Sequence, residues 1–377
     1  MNEYTTYVGM DAHARSITCK GLDVTTGERF DKTFVDCPSA EEIYGWMKDL
    51  PQPVYCAYES GCTGFWLARD LNALGVHCDV IAVSTLPRST KDKQGKCDKL
   101  DAKVILREIL NPLSDCSPVW IPDAETEGAR DLARARQDAV KAAKAAKQKV
   151  ASLLMRHHHI WNEKTPTGKL KKPWRKDYRA WLDKIVLPDP NAQAALEHYK
   201  RAVKRAEEEL AEVDKLLRAE TSKPRWKPYV DALVHLKGID ELNAFLAAAE
   251  FGCFSRFESG RKVSCWAGTV PSNHSSGEKE AHGGITRAGA PHLRRGLVEG
   301  CCGLDRWGTG EKVVKGHPAS PNVIAIANKA NARLRKRYRY LRDERGKTPN
   351  KAKVAVVNEL VRWIWVIGCA VEAEQAA

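Results

Sequence analysis

Across the first 110 residues, short apolar stretches switch between strand and helix periods in a single order, β-β-β-α-β-α-β-α. Tyr4 to Asp11 alternates as a strand that ends on an acid. Ile17 to Val24 and Phe30 to Val35 follow as two more strands, with Gly27 marking the hairpin turn between them. Ala40 to Leu50 reads as a helix, Val54 to Glu59 as a buried strand that again ends on an acid, Phe65 to Leu74 as a helix and Cys78 to Val83 as a strand. A chain ordered this way must build a mixed sheet and cover it with helices. In such open sheets sites gather at the carboxyl ends of strands, where Asp11 and Glu59 fall.

This order is that of the ribonuclease H-like fold. The third helix opens with Asp98 and Asp101, three residues apart and so on one face, followed by Val104, Ile105, Ile109 and Leu110 at helical spacing. Two acids at the start of a helix that packs on a sheet either hold a cation or merely cap and solvate the first turn. The pair alone does not choose between these readings.

Charge separates the chain into two parts. Residues 1–110 hold 13 basic and 16 acidic side chains, a net of −3, and since the whole chain carries +13 the remainder carries +16. An acidic front and a basic remainder suit metal chemistry in one part and polyanion binding in the other. Twelve cysteines stand without C-x-x-C spacing, as free thiols of a reducing compartment rather than zinc ligands. No run resembles a signal peptide, and the most apolar stretch, Leu360 to Val371, is interrupted by Arg362 and Gly368. The expected place of action is the cytoplasm, on the nucleoid, with no membrane partner.

From Glu125 to His159 the pattern becomes one long Ala/Lys/Arg-rich helix, with a seam expected along Leu132, Ala135, Ala139, Ala142, Ala146 and Leu153. A second helix repeats Leu196, Tyr199, Val203, Ala206, Leu210, Val213 and Leu217 at 3-4 spacing, so the two form an antiparallel coiled-coil hairpin. Its tip, Lys164 to Arg179, has seven basic residues and one acid. Lys169, Lys171, Lys172 and Arg175 interleave there with aromatics that include Trp161, Trp174, Tyr178 and Trp181 around the tip. Such a tip either contacts phosphates and stacks bases or is a solvated turn closed by its aromatics.

After Pro228 a mainly helical domain begins. Leu233 to Ile239 followed by Leu242 to Phe251 fits either a helix-hairpin-helix offering amides to a phosphate or an ordinary packing unit. Trp266 to Pro271 leads into Ser275, Ser276 and Gly277 and a Gly-rich basic loop to Arg295, expected to be mobile rather than packed. Ser276 is either a nucleophile or part of a turn. Lys329 to Lys353 holds eleven Lys and Arg against two acids, with Arg333 and Arg337 lining a phosphate backbone or only a solvated face.

Three stretches taken together resemble a known family. They are Val8-Gly9-Met10-Asp11; Tyr58-Glu59-Ser60-Gly61-Cys62-Thr63-Gly64-Phe65, continuing to Lys96-x-Asp98-x-x-Asp101-Ala102; and Ala267-Gly268-x-x-Pro271 through Ser276-Gly277 to Ile285-Thr286-Arg287-x-Gly289-x-x-x-Leu293-Arg294. In this the chain is similar to DEDD-type insertion-sequence transposases, with Cys97 standing where the family usually has Thr. The resemblance implies an α/β plus α protein: a RuvC-like metal-binding domain over residues 1–120, a coiled-coil hairpin over 121–225 and a helical transposase domain over 226–377. It implies that Asp11, Glu59, Asp98 and Asp101 bind Mg²⁺ and that Ser276 is the nucleophile of a DNA recombinase working through a phosphoserine. It further implies a structured noncoding guide RNA from the element, pairing with donor and target DNA. Arg287 and Arg294 join the hairpin-tip and C-terminal residues as expected nucleic-acid contacts. Recombining two duplexes calls for a homo-oligomer, a dimer or tetramer. The rival is a RuvC-like structure-selective endonuclease that uses the same acids with water, and a third reading is a non-catalytic nucleic-acid-binding protein.

Overall fold

The computed structural model describes residues 3–86, 98–273 and 282–377, with residues 98–100 and 282 described by backbone alone. Its first strand, β1 (Thr6–Ala12), is buried on both faces because it is the middle of five. β2 (Ile17–Asp23) pairs antiparallel with β1, and β3 (Arg29–Phe34) with β2 as the exposed outer edge. After α1 (Ala40–Met47) the chain returns as β4 (Val54–Glu59), parallel to β1, and after α2 (Trp66–Ala73) as β5 (His77–Ile81), parallel to β4. The sheet order is therefore β3-β2-β1-β4-β5.

Side-chain alternation divides the two faces. Val8 and Met10 of β1, with Cys56 and Tyr58 of β4, enter a core closed by Ile43 and Met47 of α1 and by Leu67 and Leu71 of α2. Ser39 starts α1 with a capping box, its hydroxyl accepting from the Glu42 N–H while the Glu42 carboxylate accepts from the Ser39 N–H at 2.9 Å. On the other face lies α3 (Asp98–Leu110), whose Ile105 packs with Ala57 and Ile81. Gly9 makes this close approach possible, since a Cβ there would stand 2.3 Å from the Ala102 carbonyl oxygen and 2.4 Å from the Leu106 nitrogen.

The chain separates into two compact units, Met1–Glu125 and Thr126–Ala377. The second unit is helical, and its hairpin joins α4 (Ala124–Arg156), α5 (Lys176–Asp183) and α6 (Pro190–Thr221). Arg136 meets Asp214 at 2.7 Å and Lys147 meets Glu207 at 2.7 Å, so α6 retreats as α4 advances and the pair is antiparallel. The α4 seam agrees with the sequence expectation at Leu153, which is buried, and at Leu132 and Ala146, which pack against the cores, and differs elsewhere. Ala135 and Ala142 are exposed, and Ala129, Ala133, Gln137, Ala143, Val150 and Leu154 are the buried stripe. In an alanine-rich helix neighbouring stripes have nearly equal hydrophobicity. Its phase is set instead by the larger residues at the two ends, Val150, Leu153 and Leu154 at the tip and Leu217 across from Ala133 at the base.

Beyond the hairpin come α7 (Lys227–Leu233), α8 (Glu241–Phe251) and α9 (Gly260–Trp266). A two-stranded β6 (Pro271–Asn273) and β7 (His282–Ile285) follows, then α10 (Pro291–Gly300), α11 (Pro321–Arg339) and α12 (Pro349–Ala376). Among the described residues α12 alone is long and apolar enough to cross a membrane, despite Arg362 and Gly368. Its Val356, Val357, Leu360, Val361, Ile364 and Ile367 are fully buried against the surrounding helices, as in the central helix of a helical core.

Candidate active site

Met10 of β1 lies opposite Tyr58 of the parallel strand β4, so the next positions along, Asp11 and Glu59, end neighbouring strands. Met10 and Tyr58 face the core under α1 and α2, so by alternation Asp11 and Glu59 face the side covered by α3. The direction of α3 completes the arrangement. Its Ala102 and Leu106 cross Gly9, whereas Glu108 and Ile109, further along, share a pocket with Tyr7 and Tyr55 near the starts of β1 and β4. α3 thus runs opposite to β1. Its first turn, with Asp98 and Asp101, comes to the edge of the sheet where Asp11 and Glu59 stand.

Asp11 is 4% exposed, and a buried carboxylate must be partnered. The His13 ring supplies one partner, its Nε2 lying 3.1 Å from Asp11 Oδ2. His13 follows directly on the last residue of β1, so Asp-x-His at a strand end is the sequence signal for this pair. Glu59 is half-buried, and the loop after it is held by the Tyr58 hydroxyl, which donates to the Gly64 carbonyl at 3.1 Å. Asp101 is half-buried too, while the side chain of Asp98 lies outside the described residues. Among the described residues no group of three His, Cys, Asp or Glu side chains could hold a metal ion. Ser275 and Ser276 also lie outside the described residues.

Of the stretch expected to be mobile, residues 274–281 lie outside the described residues, and the flanks are exposed but held by backbone pairing. β6 pairs with β7 through Pro271 opposite Ile285 and Asn273 opposite His282. Beyond them, the Thr286 N–H donates to Val270 O at 2.9 Å and the Arg287 N–H to Gly268 O at 3.1 Å. Gly289, at φ +65°, runs so close to the Trp266 carbonyl that a Cβ would lie 1.7 Å from its oxygen, so this position requires glycine.

Residues 230–307 match the family model described as Transposase IS116/IS110/IS902 family, and residues 8–159 match the DEDD transposase model of IS110. The chain is 34% identical to "Putative transposase y4qE" of Sinorhizobium fredii (strain NBRC 101917 / NGR234), over 83% of this chain and 75% of that protein. This chain belongs to the IS116/IS110/IS902 family of transposases. It is also 28% identical to the transposase for insertion sequence element IS1533 of Leptospira borgpetersenii, over 90% of this chain and 98% of that one. The DEDD match covers the sheet, α3 and the outgoing arm of the hairpin, and the other match covers α8 to α10 with the serine-bearing segment. As an insertion-sequence transposase it cuts and rejoins DNA.

The basic residues expected to contact nucleic acid stand in three kinds of place. At the tip, Lys169, Lys172 and Arg175 are exposed, whereas Lys171 sits between Glu163 at 3.0 Å and Asp177 at 2.7 Å. These hydrogen bonds raise the Lys171 pKa and lower that of Asp177. Arg287 is exposed. Arg294 instead donates to the carbonyls of Ala267, Ala288 and Arg287 at 2.8 to 3.0 Å, locking the turn of the transposase before α10. Burial, with Arg287 nearby, lowers its pKa. Arg333 and Arg337 both reach Glu359, at 3.0 and 3.3 Å.

Packing bears on two alternatives that the sequence leaves open. At the tip, Trp161, Trp174, Tyr178 and Trp181 pack on one another with ring centroids 5.1 to 5.3 Å apart, over Leu182, Ile185 and Leu187, with Tyr178 buried and the three tryptophans half-buried. A short lobe between two helices needs its own core, and these are its large apolar side chains. The turn between α7 and α8 does not offer its amides, since the Lys237 N–H donates to Asn331 Oδ1 at 2.8 Å and the turn packs against Gly300. It is a packing unit.

Proposed function

We propose that this transposase cuts and rejoins donor and target DNA through a phosphoserine formed at Ser276, with Mg²⁺ held by Asp11, Glu59, Asp98 and Asp101, guided by a structured noncoding RNA of its element. The observation that supports this most is the meeting of two strand-end acids with the first turn of α3 at one edge of the sheet. The strand order and the antiparallel β1–β3 hairpins support a ribonuclease H-like, RuvC-like domain over residues 1–120. The hairpin over 121–225 serves as the arm of a dimer or tetramer, and 226–377 carries the serine. The work is done in the cytoplasm, on the nucleoid.

Transposase domains of this type typically use a divalent metal. Four carboxylates drawn together would crowd negative charge that only cations offset, and an all-oxygen donor set would suit Mg²⁺. When bound, the metal polarises the scissile phosphate and stabilises the leaving oxygen. Asp11, Glu59, Asp98 and Asp101 hold that charge in place, with His13 orienting the Asp11 carboxylate. The Ser276 Oγ forms a bond to phosphorus as the bond to the leaving strand oxygen breaks, and the serine proton ends on that oxygen. The phosphoserine retains the phosphodiester energy, so a second strand's hydroxyl can displace Ser276 and rejoin DNA without ATP. Lys169, Lys172, Arg175 and Arg287 hold phosphate backbones, leaving sequence choice to base pairing with the RNA.

The test is a denaturing gel of stalled reactions with Ser276→Ala and Ser275→Ala. A protein–DNA adduct that survives Ser275→Ala and vanishes with Ser276→Ala or on Mg²⁺ removal is the expected result. Cleavage by Ser276→Ala that leaves free ends and no adduct makes water the nucleophile and the protein a RuvC-like endonuclease.

A further inference from the structure

At the opposite end of β1 from the acids, Tyr4, Tyr7 and Tyr55 meet with ring centroids 5.3 to 6.0 Å apart. Together with Glu3, Asp79 and Glu108 they line a pocket of about 300 Å³, at the small end of the range that holds ligands. No Lys or Arg is among the residues lining it, and His77 stands behind the wall, its Nε2 3.7 Å from Asp79 Oδ1 and its ring against Tyr4 and Tyr55. Three features of this pocket favour the same kind of guest. Tyrosine faces carry negative quadrupole charge that attracts cations. The Asp79 carboxylate is held at the wall by the Tyr55 hydroxyl, which donates to it at 2.8 Å. The last turn of the 13-residue α3, with Glu108 and Ile109, brings the negative end of the helix dipole to the pocket wall. Glu108 is fixed there by the Ser114 hydroxyl at 2.8 Å and by Arg107 at 3.0 Å.

We propose that this pocket binds an organic cation, an alkylammonium or guanidinium head, supplied by a free polyamine or by the Lys or Arg side chain of a basic peptide. Tyr7 and Asp11 are four residues apart on β1, roughly 13 Å, so the site is separate from the four acids and does not depend on their role. It grips the far end of the helix that carries Asp98 and Asp101.

The test is calorimetric titration of the full-length protein, freed of nucleic acid, with spermidine and with an acetylated and amidated Gly-Arg-Gly peptide. One saturable site is expected, weakened at least tenfold by Asp79→Asn and by Tyr7→Leu and left within twofold by Asp31→Asn, an acid on the exposed edge strand. Asp79→Asn keeps an acceptor for the Tyr55 hydroxyl and so remains folded even if Tyr7→Leu does not. Tighter spermidine binding identifies a polyamine site, and tighter peptide binding a side-chain site. No saturable binding of either probe, unaltered binding by Asp79→Asn, or equal weakening by Asp31→Asn overturns the proposal.

Discussion

Gly9→Ala is the sharpest probe of how the site is built, because it adds one carbon at the point where α3 crosses β1. The new Cβ would stand 2.3 Å from the Ala102 carbonyl oxygen and 2.4 Å from the Leu106 nitrogen, against ordinary contact at 3.4 Å or more. Both neighbours are helix backbone and cannot rotate away, so α3 must move by about 1 Å. Overpacking of this kind costs about 1–3 kcal/mol, and backbone on both sides places this case at the upper end. For a unit of this size that is a fall in Tm of about 10 °C. The same movement carries Asp98 and Asp101 away from Asp11 and Glu59, and a misplacement of about 1 Å costs on the order of 100-fold in rate. The control is Gly45→Ala on α1, where an added Cβ meets nothing within 4 Å and should hold or slightly raise Tm. Differential scanning calorimetry and a strand-cleavage assay read both effects. A Gly9→Ala protein that melts within about 2 °C of wild type and cleaves normally would refute the packing of α3 on β1 as the device that gathers the acids.

Asp11→Asn, Glu59→Gln, Asp98→Asn and Asp101→Asn should each abolish cleavage while leaving nucleic-acid binding in gel-shift assays; wild-type turnover by any of them removes that acid from the site. Lys169, Lys172 and Arg175 changed to Gln should lower the slope of log affinity against log salt by roughly 0.7 to 0.9 for each phosphate that is no longer neutralised, and an unchanged slope makes the tip a solvated face. Acid sensitivity of the hairpin should trace to Glu207. Burial alone would raise its pKa, but Arg179 and Lys147 outweigh burial and hold it below the ordinary value of 4.5. With the folded pKa depressed, its contribution is present above that value and lost as pH falls through the folded pKa. Glu207→Gln should therefore flatten the fall in Tm between about pH 5 and pH 3, and an unchanged profile would refute this assignment.

Much of this protein is determined by local pattern. Both strands that end on acids, the helix that opens with Asp98 and Asp101 and the two long arms of the hairpin follow from hydrophobic period and turn residues, and their bounds agree with the sequence reading to within a few residues. Such periods decide which residues share a face, because each element's geometry repeats along its own axis.

Tertiary structure alone decided how the elements meet. That α3 runs opposite to β1, with its first turn toward the Asp11 end of the strand and its last toward Tyr7, depends on the close approach at Gly9 and not on any property of α3 itself. The alanine-rich α4 carried no strong phase of its own, and the seam was settled by larger residues at its ends. That Tyr178 is buried in a small core of its own, with Trp161, Trp174 and Trp181 half-buried around it, depends on contacts across the lobe at the tip. Tyr4, Tyr7 and Tyr55 carry no motif, yet strand pairing and the β1 approach collect them into one pocket. In each case the deciding interaction is non-local, between residues tens of positions apart, and periodicity within one element does not encode it.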